Sequence, residues 1–278
     1  MKTRFFLCLL AATVCLLSAC GGTQKSQPQT PTQSLPYDPP TDSLFAALFA
    51  EHQAIGCFLL HDQQADTTYV YRPKRADTRY LPASTFKIPN TLIALELGVT
   101  DTTEVFPWDG EERFAKQWNQ DLTLPQAFRY SAAWVYSIVA ERVGEERYRE
   151  WLERIDYGNA EPGPDVRIFW LNGDLRISAV EQLDFLRRLE NGSLAFGEAA
   201  QTLFRQIFTY EKTDTYDWKA KTGWTTAPDP DIGWVVGWLE RGDDRYFYAM
   251  NLDMETNAHG KARLEISRAI FNSMGLLD

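Results

Sequence analysis

Cysteine is scarce in this sequence and almost confined to its start. Of the four cysteines in 278 residues, Cys8, Cys15 and Cys20 lie within the first twenty positions. Only Cys57 remains for a folded body, and one cysteine cannot form an internal disulfide. Because Cys57 lies in the apolar run Gly56–Leu60, we expect a buried structural thiol and not a nucleophile.

Histidine and basic charge are also in short supply. His52, His61 and His259 are the only histidines, and they lack the spacing of metal ligands. The sequence therefore argues against a zinc hydrolase, and we expect no metal site. Lysine and arginine number 28 against 38 acidic residues, which gives a net charge of −10. Since nucleic-acid binding needs a basic face, we expect no nucleic-acid partner.

Long apolar runs are missing, apart from a short one at the start. Lys2 and Arg4 precede the run Phe5–Leu17, which is too short to span a bilayer as a stable helix. Residues 1–19 are therefore predicted to be an export signal.

The predicted signal ends in small residues directly before Cys20. This arrangement resembles the lipobox of bacterial lipoproteins, which implies cleavage before Cys20 and lipidation of it. The alternative is a plain signal peptide with a chance cysteine at the junction. We favour the lipoprotein because the polar residues that follow suit a tether, so that 20–42 is a lipidated, flexible linker. Gly21 is compatible with sorting to the outer membrane. We expect a periplasmic protein that contacts the membrane only through Cys20.

Residues 43–278 have the length of one domain with a large core. Strand-like runs are predicted at Cys57–His61, Thr67–Tyr71, Trp218–Gly223, Gly233–Leu239 and Tyr246–Leu252. The middle is mostly helical, with helices from near Ser84 to Gly98, over Ser131–Val143, from the capping box Ser178–Glu181 to Glu190, and finally over Lys261–Met274. Because strands and helices do not alternate, we predict an α+β fold, an antiparallel sheet with a mostly helical insertion. Both faces of the 233–239 run are apolar, so helices should flank the sheet on both sides.

Ser84 and Lys87 form the first chemical motif. Three residues apart, they share one helix face, which places a base beside a hydroxyl that needs one. Helix-start amides also favour developing negative charge. The pattern alone is weak, because Ser-x-x-Lys occurs by chance about once in a chain of this length. Taken by itself, Ser84 could equally be a helix N-cap.

Lys221-Thr222-Gly223 strengthens that interpretation, because it ends a predicted strand and follows Ser-x-x-Lys in order. Together the two motifs form the skeleton of penicillin-recognising serine enzymes. Gly223 would let a ligand lie against the strand, and Lys221 would supply positive charge near a substrate carboxylate. Alone, Lys221 is better interpreted as an exposed lysine on an edge strand.

At this point the resemblance becomes specific. Leu81–Asn90 resembles the active-site segment of class D (oxacillinase-type) β-lactamases. Four further segments occur in the family's order: Ser131-Ala132-Ala133, Tyr157-Gly158-Asn159, Phe169-Trp170-Leu171 and Lys221-Thr222-Gly223. The resemblance extends from about Cys57 to near the C-terminus. It implies a β-lactamase/transpeptidase-like fold and hydrolysis of the β-lactam amide through an acyl-enzyme on Ser84, conferring antibiotic resistance.

The resemblance also implies how the catalytic residues act. Lys87 would react with carbon dioxide to form a carbamate (N6-carboxylysine), the general base, held by a hydrogen bond from Trp170; no other cofactor is expected. Burial beside apolar neighbours would lower the pKa of Lys87 enough to allow this reaction. Ser131 would pass a proton between the substrate nitrogen and the pair Lys87 and Lys221. Taken alone, Trp170 is a core tryptophan, and Ser131 is a helix N-cap.

Substrate-binding roles follow from the same resemblance. Arg263 would bind the substrate carboxylate, and the amides of Ser84 and Trp224 would form the oxyanion hole. The implied substrate-binding residues are Phe86, Ala133, Leu171, Thr222, Gly223, Trp224 and Arg263. Ala133 departs from the valine of many relatives and leaves more room beside the modified lysine. The Tyr157-Gly158-Asn159 run is predicted to shape a loop.

Two other functions compete with the hydrolase. The first is a β-lactam sensor domain that keeps the acyl group without turnover, but such sensors are normally attached to a membrane-spanning receptor, and no such helix is predicted after the signal. The second is a peptidoglycan transpeptidase or carboxypeptidase. Those enzymes mostly carry Ser-x-Asn where this chain has Ser131-Ala132-Ala133. We favour the hydrolase.

Overall fold

The structure is a computed structural model that describes residues 39–227 and 230–278. The predicted signal peptide, the lipidation site Cys20 and most of the predicted linker lie outside these residues. The first helix starts at Pro39, four residues before the predicted start of the domain. Within the described ranges, no helix has the length and apolar character needed to cross a membrane.

Helices and strands follow the predicted order. The helices are α1 (Pro39–Glu51), α2 (Pro73–Ala76), α3 (Lys87–Glu96), α4 (Leu124–Tyr130), α5 (Ala133–Val143), α6 (Glu145–Arg154), α7 (Phe169–Asn172), α8 (Ala179–Glu190), α9 (Glu198–Ile207) and α10 (His259–Ser273). Two 3₁₀ turns span Ala83–Phe86 and Lys116–Trp118. The strands are β1 (Gly56–Asp62), β2 (Thr67–Tyr71), β3 (Val105–Phe106), β4 (Leu122–Thr123), β5 (Glu211–Lys212), β6 (Asp217–Thr225), β7 (Ile232–Arg241) and β8 (Asp244–Asp253).

Six strands form one sheet in the order β2-β1-β8-β7-β6-β5, and all its pairs are antiparallel. Strands β3 and β4 form a separate small pair. Apart from β3 and β4, the regular elements between β2 and β5 are all helical. The predicted α+β fold, an antiparallel sheet with a helical insertion, is therefore confirmed.

A hydrophobic core lies on each face of the sheet, as the apolar pattern of β7 predicts. Trp234 and Trp238 belong to the core shared with the helical insertion. Val235 and Leu239, from alternate positions, belong to the core shared with α1 and α10. Full burial of such side chains stabilises a fold by about 1.5–3 kcal/mol each. Cys57 is buried as predicted, and burial raises the pKa of its thiol to about 11.

The predicted capping box at the start of α8 is confirmed. The Ser178 hydroxyl accepts a hydrogen bond from the Glu181 amide at 3.1 Å, and the Glu181 carboxylate accepts one from the Ser178 amide at 2.8 Å. Such a cap contributes about 1 kcal/mol.

Both predicted serine N-caps are wrong. Ser84 lies inside the 3₁₀ turn that precedes α3 and makes no cap. Ser131 ends α4 in the left-handed conformation, with φ of 58°, and α5 begins only at Ala133. The amides of Ser131 and Ala132 return to the carbonyls of Phe128 and Ala127 at 3.1 and 2.9 Å. These bonds complete the C-terminal end of α4. The helix predicted to start at Ser131 therefore starts at Ala133, two residues later.

Candidate active site

Ser84 lies on a strained turn that buried side chains hold in place. Ala83, the residue before it, has φ of 50°, which costs a non-glycine residue about 1–3 kcal/mol. The Thr85 hydroxyl donates to the carbonyl of Pro82 at 2.6 Å and accepts from Gln182 Nε2 at 2.8 Å. The indole of Trp234 donates to the carbonyl of Leu81 at 2.9 Å. The sheet and α8 together fix the position of the Ser84 hydroxyl.

Lys87, the first residue of α3, contacts Ser84 directly. Its Nζ donates to Ser84 Oγ at 3.0 Å, and its side chain is fully buried. Burial, followed by the charge of Lys221, lowers the pKa of Lys87 well below its usual value of 10.5. An unprotonated amine at this position has a free lone pair. It can accept the proton of the Ser84 hydroxyl, because the two groups are within hydrogen-bond distance.

Trp170 is buried against the residue before this lysine and has an unpaired donor. Its ring stacks on that of Phe86, the residue before Lys87, with ring centroids 5.5 Å apart. Its Nε1 has no hydrogen-bond partner among the described residues. A buried donor without a partner lowers the stability of the folded protein by about 1–3 kcal/mol. Hydrogen bonding among the described residues therefore does not explain the presence of this N–H group in the core.

Ser131 and Lys221 form a second serine–lysine pair. Lys221 Nζ, from β6, donates to Ser131 Oγ at 3.0 Å. The interpretation of Lys221 as an exposed edge lysine is wrong, because its side chain is buried. Burial, with the charge of Arg263 as a smaller cause, lowers the pKa of Lys221 to about 7. This lysine is therefore poised to gain or lose a proton near neutrality.

Gly223 brings β6 against the turn that carries Ser84. A Cβ at this position would lie 3.2 Å from both the Ser84 amide nitrogen and the Ala83 Cβ. The absence of a side chain at Gly223 therefore lets the turn that carries Ser84 pack directly against β6. Arg263, from α10, donates to the carbonyls of Gly223 and Trp234. Burial lowers its pKa to about 10, which leaves it charged at neutral pH.

A cleft of 810 Å³ opens above these residues. Eight predicted site residues line it: Ser84, Ser131, Ala133, Leu171, Thr222, Gly223, Trp224 and Arg263. Phe86, predicted to bind substrate, is fully buried and packs on Trp170 beneath the cleft. Within the described part of the chain, no group of three or more His, Cys, Asp or Glu side chains could hold a metal ion.

Comparison with known proteins identifies the family. Residues 50–272 match the penicillin binding protein transpeptidase domain. The β-lactamase OXA-48 of Klebsiella pneumoniae is 44% identical over 212 residues, which are 76% of this chain and 80% of that protein. The class D β-lactamase YbXI from Nostoc has 37% identity and a TM-score of 0.82, over 84% of this chain and 99% of that one. The chain belongs to the class D β-lactamase family.

FUS-1 (OXA-85), a class D β-lactamase from Fusobacterium nucleatum subsp. polymorphum, has a similar fold. Its identity to this chain is 36%, with a TM-score of 0.82 over 85% of this chain and 99% of that one. Recognition of the family from five ordered motifs is therefore confirmed.

Tyr157-Gly158-Asn159 shapes a loop of this class D β-lactamase near the site. The Asn159 side chain donates to the carbonyl of Asp174 and accepts from the amide of Arg176, both at 2.8 Å. Gly158 has φ of 60°, and a Cβ there would lie 2.0 Å from the Arg176 carbonyl oxygen. The loop thus fixes the segment that follows α7, the helix that carries Trp170.

Sequence reasoning missed two aromatic residues in the cleft wall, Phe114 and Trp118. They belong to a connection between β3 and β4 that contains only one 3₁₀ turn. The available signal was compositional, because a phenylalanine in the charged run Glu111–Lys116 has no amphipathic pattern to place it in a core.

Proposed function

We propose that this class D enzyme hydrolyses the amide bond of β-lactam antibiotics through an acyl-enzyme on Ser84, and so confers resistance to them. The relatives carry the name β-lactamase. The observation that carries the proposal is the 3.0 Å contact between Ser84 Oγ and the fully buried amine of Lys87. A serine in contact with a lysine of strongly lowered pKa is an activated nucleophile.

Acylation would begin with attack of Ser84 Oγ on the lactam carbonyl. The hydroxyl proton moves to the base at Lys87, and the oxygen that gains negative charge is stabilised by the amides of Ser84 and Trp224. The ring C–N bond then breaks, and the nitrogen takes a proton that Ser131 relays from Lys221. The 3.0 Å contact between Ser131 and Lys221 supports this relay.

The residues around Lys87 suit its reaction with carbon dioxide. Nζ would form a bond to the carbon and lose one proton, and the resulting carboxylate group would act as a base for both acylation and deacylation. Two observations support the fit: burial lowers the pKa of the amine well below its usual value, and Trp170 Nε1 is a buried donor without an acceptor among the described residues. Trp170 would then hold the modified lysine by a charge-assisted hydrogen bond.

Substrate binding would use the charge at the end of β6. Arg263, charged at neutral pH, and Thr222 would bind the carboxylate that β-lactams carry, with Lys221 adding positive charge when protonated. Leu171 and Trp224 would line the mouth, and Ala133 would leave room beside Lys87. We further propose export and lipidation at Cys20, on the sequence of residues 1–20 alone.

Steady-state hydrolysis of benzylpenicillin tests the proposed function and its base. After carbon dioxide is stripped at mildly acidic pH, we expect turnover to fall and to return when bicarbonate is added. Turnover indifferent to bicarbonate would contradict the role of modified Lys87. A single burst of acylation without turnover would instead indicate the sensor-like alternative. Ser84→Ala should abolish labelling by a fluorescent penicillin, and persistent labelling would place the nucleophile elsewhere.

A second variant tests how the modified lysine is held. Trp170→Phe keeps the ring stack on Phe86 but removes the N–H donor. Since a hydrogen bond to a charged group contributes about 1.5–3 kcal/mol, half-maximal turnover should need at least about tenfold more bicarbonate. Trp151→Phe is the matched control, because Trp151 stacks on Phe196 away from the cleft. An equal bicarbonate requirement in both variants would argue against the role of Trp170.

A further inference from the structure

Tyr136 is a buried aromatic residue in contact with the amine of Lys87. It belongs to α5 and is fully buried. Lys87 Nζ lies over its ring, 4.9 Å from the ring centroid. The same Nζ is 3.0 Å from Ser84 Oγ, so the amine contacts the nucleophile and the ring together. The proposed function assigns a role to Ser84 and Lys87 but none to Tyr136.

Two hydroxyl groups fix the ring of Tyr136 relative to the backbone of Lys87. The Thr91 hydroxyl donates to the carbonyl of Lys87 at 2.7 Å. Because a hydroxyl has one proton to give, the 2.7 Å contact between Thr91 and Tyr136 is a hydrogen bond donated by Tyr136. Thr91 and Lys87 both belong to α3. The helix that Lys87 begins therefore also holds the ring against which its amine lies.

The face of an aromatic ring distinguishes between the groups that can lie over it. The face carries partial negative charge and the edge partial positive charge. A face therefore attracts ammonium and N–H groups, and it repels a carboxylate. Burial, followed by the charge of Lys221, lowers the pKa of Lys87 well below its usual value. The ammonium form that the ring favours is thus opposed by the rest of the site.

The modified form of Lys87 retains one N–H, on Nζ. The lone pair of that nitrogen is delocalised into the carboxylate group, so the group is planar and its N–H has a fixed direction relative to its oxygens. If the N–H is directed at the ring of Tyr136, the oxygens are directed away from the ring. Ser84 and Trp170 are the groups that the proposed function places at those oxygens.

We propose that Tyr136 is a positioning residue, whose ring face accepts the N–H of modified Lys87 and so orients its carboxylate group towards Ser84 and Trp170. This inference rests on the proposed function, and it adds the residue that sets the rotation of the modified group about the Cε–Nζ bond of Lys87. Because the ring is already fixed through Thr91, the N–H finds its acceptor without rearrangement of the core.

The test reverses the charge on the ring face and keeps the shape of the ring. Pentafluorophenylalanine differs from phenylalanine mainly in its electron-poor face, so the comparison is between Tyr136→Phe and the same position carrying pentafluorophenylalanine. Carbon NMR in isotopically labelled bicarbonate measures the fraction of Lys87 that is modified, without any turnover, and the Lys87→Ala variant identifies the signal. Half-maximal modification should need about fivefold more bicarbonate in the fluorinated variant than in Tyr136→Phe. Tyr136→Phe itself should differ from the wild type by only about twofold, because it keeps the ring face.

The same pair of substitutions at Tyr148 provides the matched control. Tyr148 is fully buried in the same core. Its ring packs on those of Phe86 and Phe169, with centroids 6.0 and 5.1 Å apart. Fluorination at this position places an electron-poor ring in the core but not under the amine, so the bicarbonate requirement should stay within about twofold of that of Tyr148→Phe.

The outcomes separate this inference from the function on which it rests. If the wild-type protein shows no signal from modified Lys87 and its turnover is indifferent to bicarbonate, the proposed base fails, and this inference fails with it. If the wild type is modified and both variants at position 136 need the same bicarbonate concentration, Tyr136 does not orient the group, and the inference fails alone. Equal increases on fluorination at Tyr136 and at Tyr148 would also overturn it.

Discussion

At the scale of single residues, the burial of two lysines at the site lowers the stability of the folded protein. Removing an ammonium group from water costs several kcal/mol, and Lys87 and Lys221 are both buried. Burial lowers the pKa of Lys87 well below its usual value and that of Lys221 to about 7, so both amines lose their proton more easily than exposed lysines do. The burial that lowers stability at these two positions therefore also makes the lysines available as bases.

Replacement of Lys221 should therefore stabilise the protein in a pH-dependent way. The pKa of Lys221 is about 7 in the folded protein and about 10.4 in an unfolded chain. Between these values the unfolded chain binds more protons, so the stability of the wild type rises with pH; below about pH 7 the full cost remains. Lys221→Met should raise the free energy of unfolding by on the order of 2 kcal/mol at pH 6, with the gain shrinking towards pH 10.

Urea denaturation at pH 6, 8 and 10 measures this difference. Lys74→Met provides the control, because Lys74 is exposed on α2 and its replacement should change stability little at any of these pH values. A Lys221→Met variant that is less stable than the wild type at pH 6 would contradict the cost assigned to the buried amine. The variant should also lose most acylation activity, since Ser131 loses its partner.

At the scale of elements, the loop at Gly158 is tied to the nucleophile turn by backbone hydrogen bonds. Asn159 binds the segment that ends at Arg176. The next residue, Ile177, exchanges two hydrogen bonds of 2.9 Å with Tyr80. Tyr80 directly precedes Leu81, whose carbonyl the Trp234 indole binds. A distortion at Gly158 can therefore reach the residues just before Ser84.

Gly158→Ala should destabilise the protein and reduce activity together. The new Cβ would have to displace the Arg176 carbonyl in addition to adopting a positive φ, so we expect a loss of about 3 kcal/mol. Gly192→Ala is the matched control, with φ of 73° and nothing within 4 Å of the new Cβ; it should cost only about 1 kcal/mol. Thermal unfolding and kcat/KM for benzylpenicillin measure both effects. Equal losses in the two variants would show that the carbonyl contact is unimportant.

The elements themselves were predictable where the signal is local. Alternating apolar residues place β7 between two cores, and the Ser178 capping box starts α8 where predicted, because each signal depends on neighbours a few residues away. Ser131 was different. Its left-handed conformation ends one helix in the middle of a predicted one, and a serine carries no local preference that announces this.

At the scale of the whole molecule, the central strands belong to both cores at once. Residues of β7 face the helical insertion on one side and α1 with α10 on the other. Because the two cores share these strands, unfolding of the sheet would expose the apolar residues of both cores to water. The site lies where the sheet meets the insertion, with Ser84 and Ser131 from the insertion and Lys221 from β6.

We therefore expect the described domain to unfold in one transition. Both cores contain tryptophan, for example Trp218 on the α1 and α10 side and Trp170 on the insertion side, so the fluorescence signal includes both. Far-UV circular dichroism, tryptophan fluorescence and enzyme activity should all be lost over the same range of urea concentration. Activity lost well before the circular dichroism signal would show that the insertion unfolds independently of the sheet.

The catalytic residues of the site were more predictable from the sequence than the residues that line the mouth of the cleft. Ser84 and Lys87 meet because three residues separate them, a distance that local geometry fixes. Their meeting with Lys221 depends on the fold, and it was anticipated only through the resemblance of ordered motifs to a known family. Phe114 could not be placed, because its position is set by tertiary contacts of an irregular segment, above all those of Trp118 with Tyr130 and Trp134.

The burial of Lys87 has a chemical consequence of its own. Because burial lowers the pKa of Lys87 well below its usual value, its amine is a better nucleophile at physiological pH than the protonated lysines of the surface. Cyanic acid is as small and linear as carbon dioxide, and its addition to the amine forms a stable, uncharged urea. Exposure to cyanate should therefore inactivate the enzyme irreversibly by modifying Lys87 first, and bicarbonate should protect against the loss. Peptide mass mapping of the inactivated protein would identify the modified lysine.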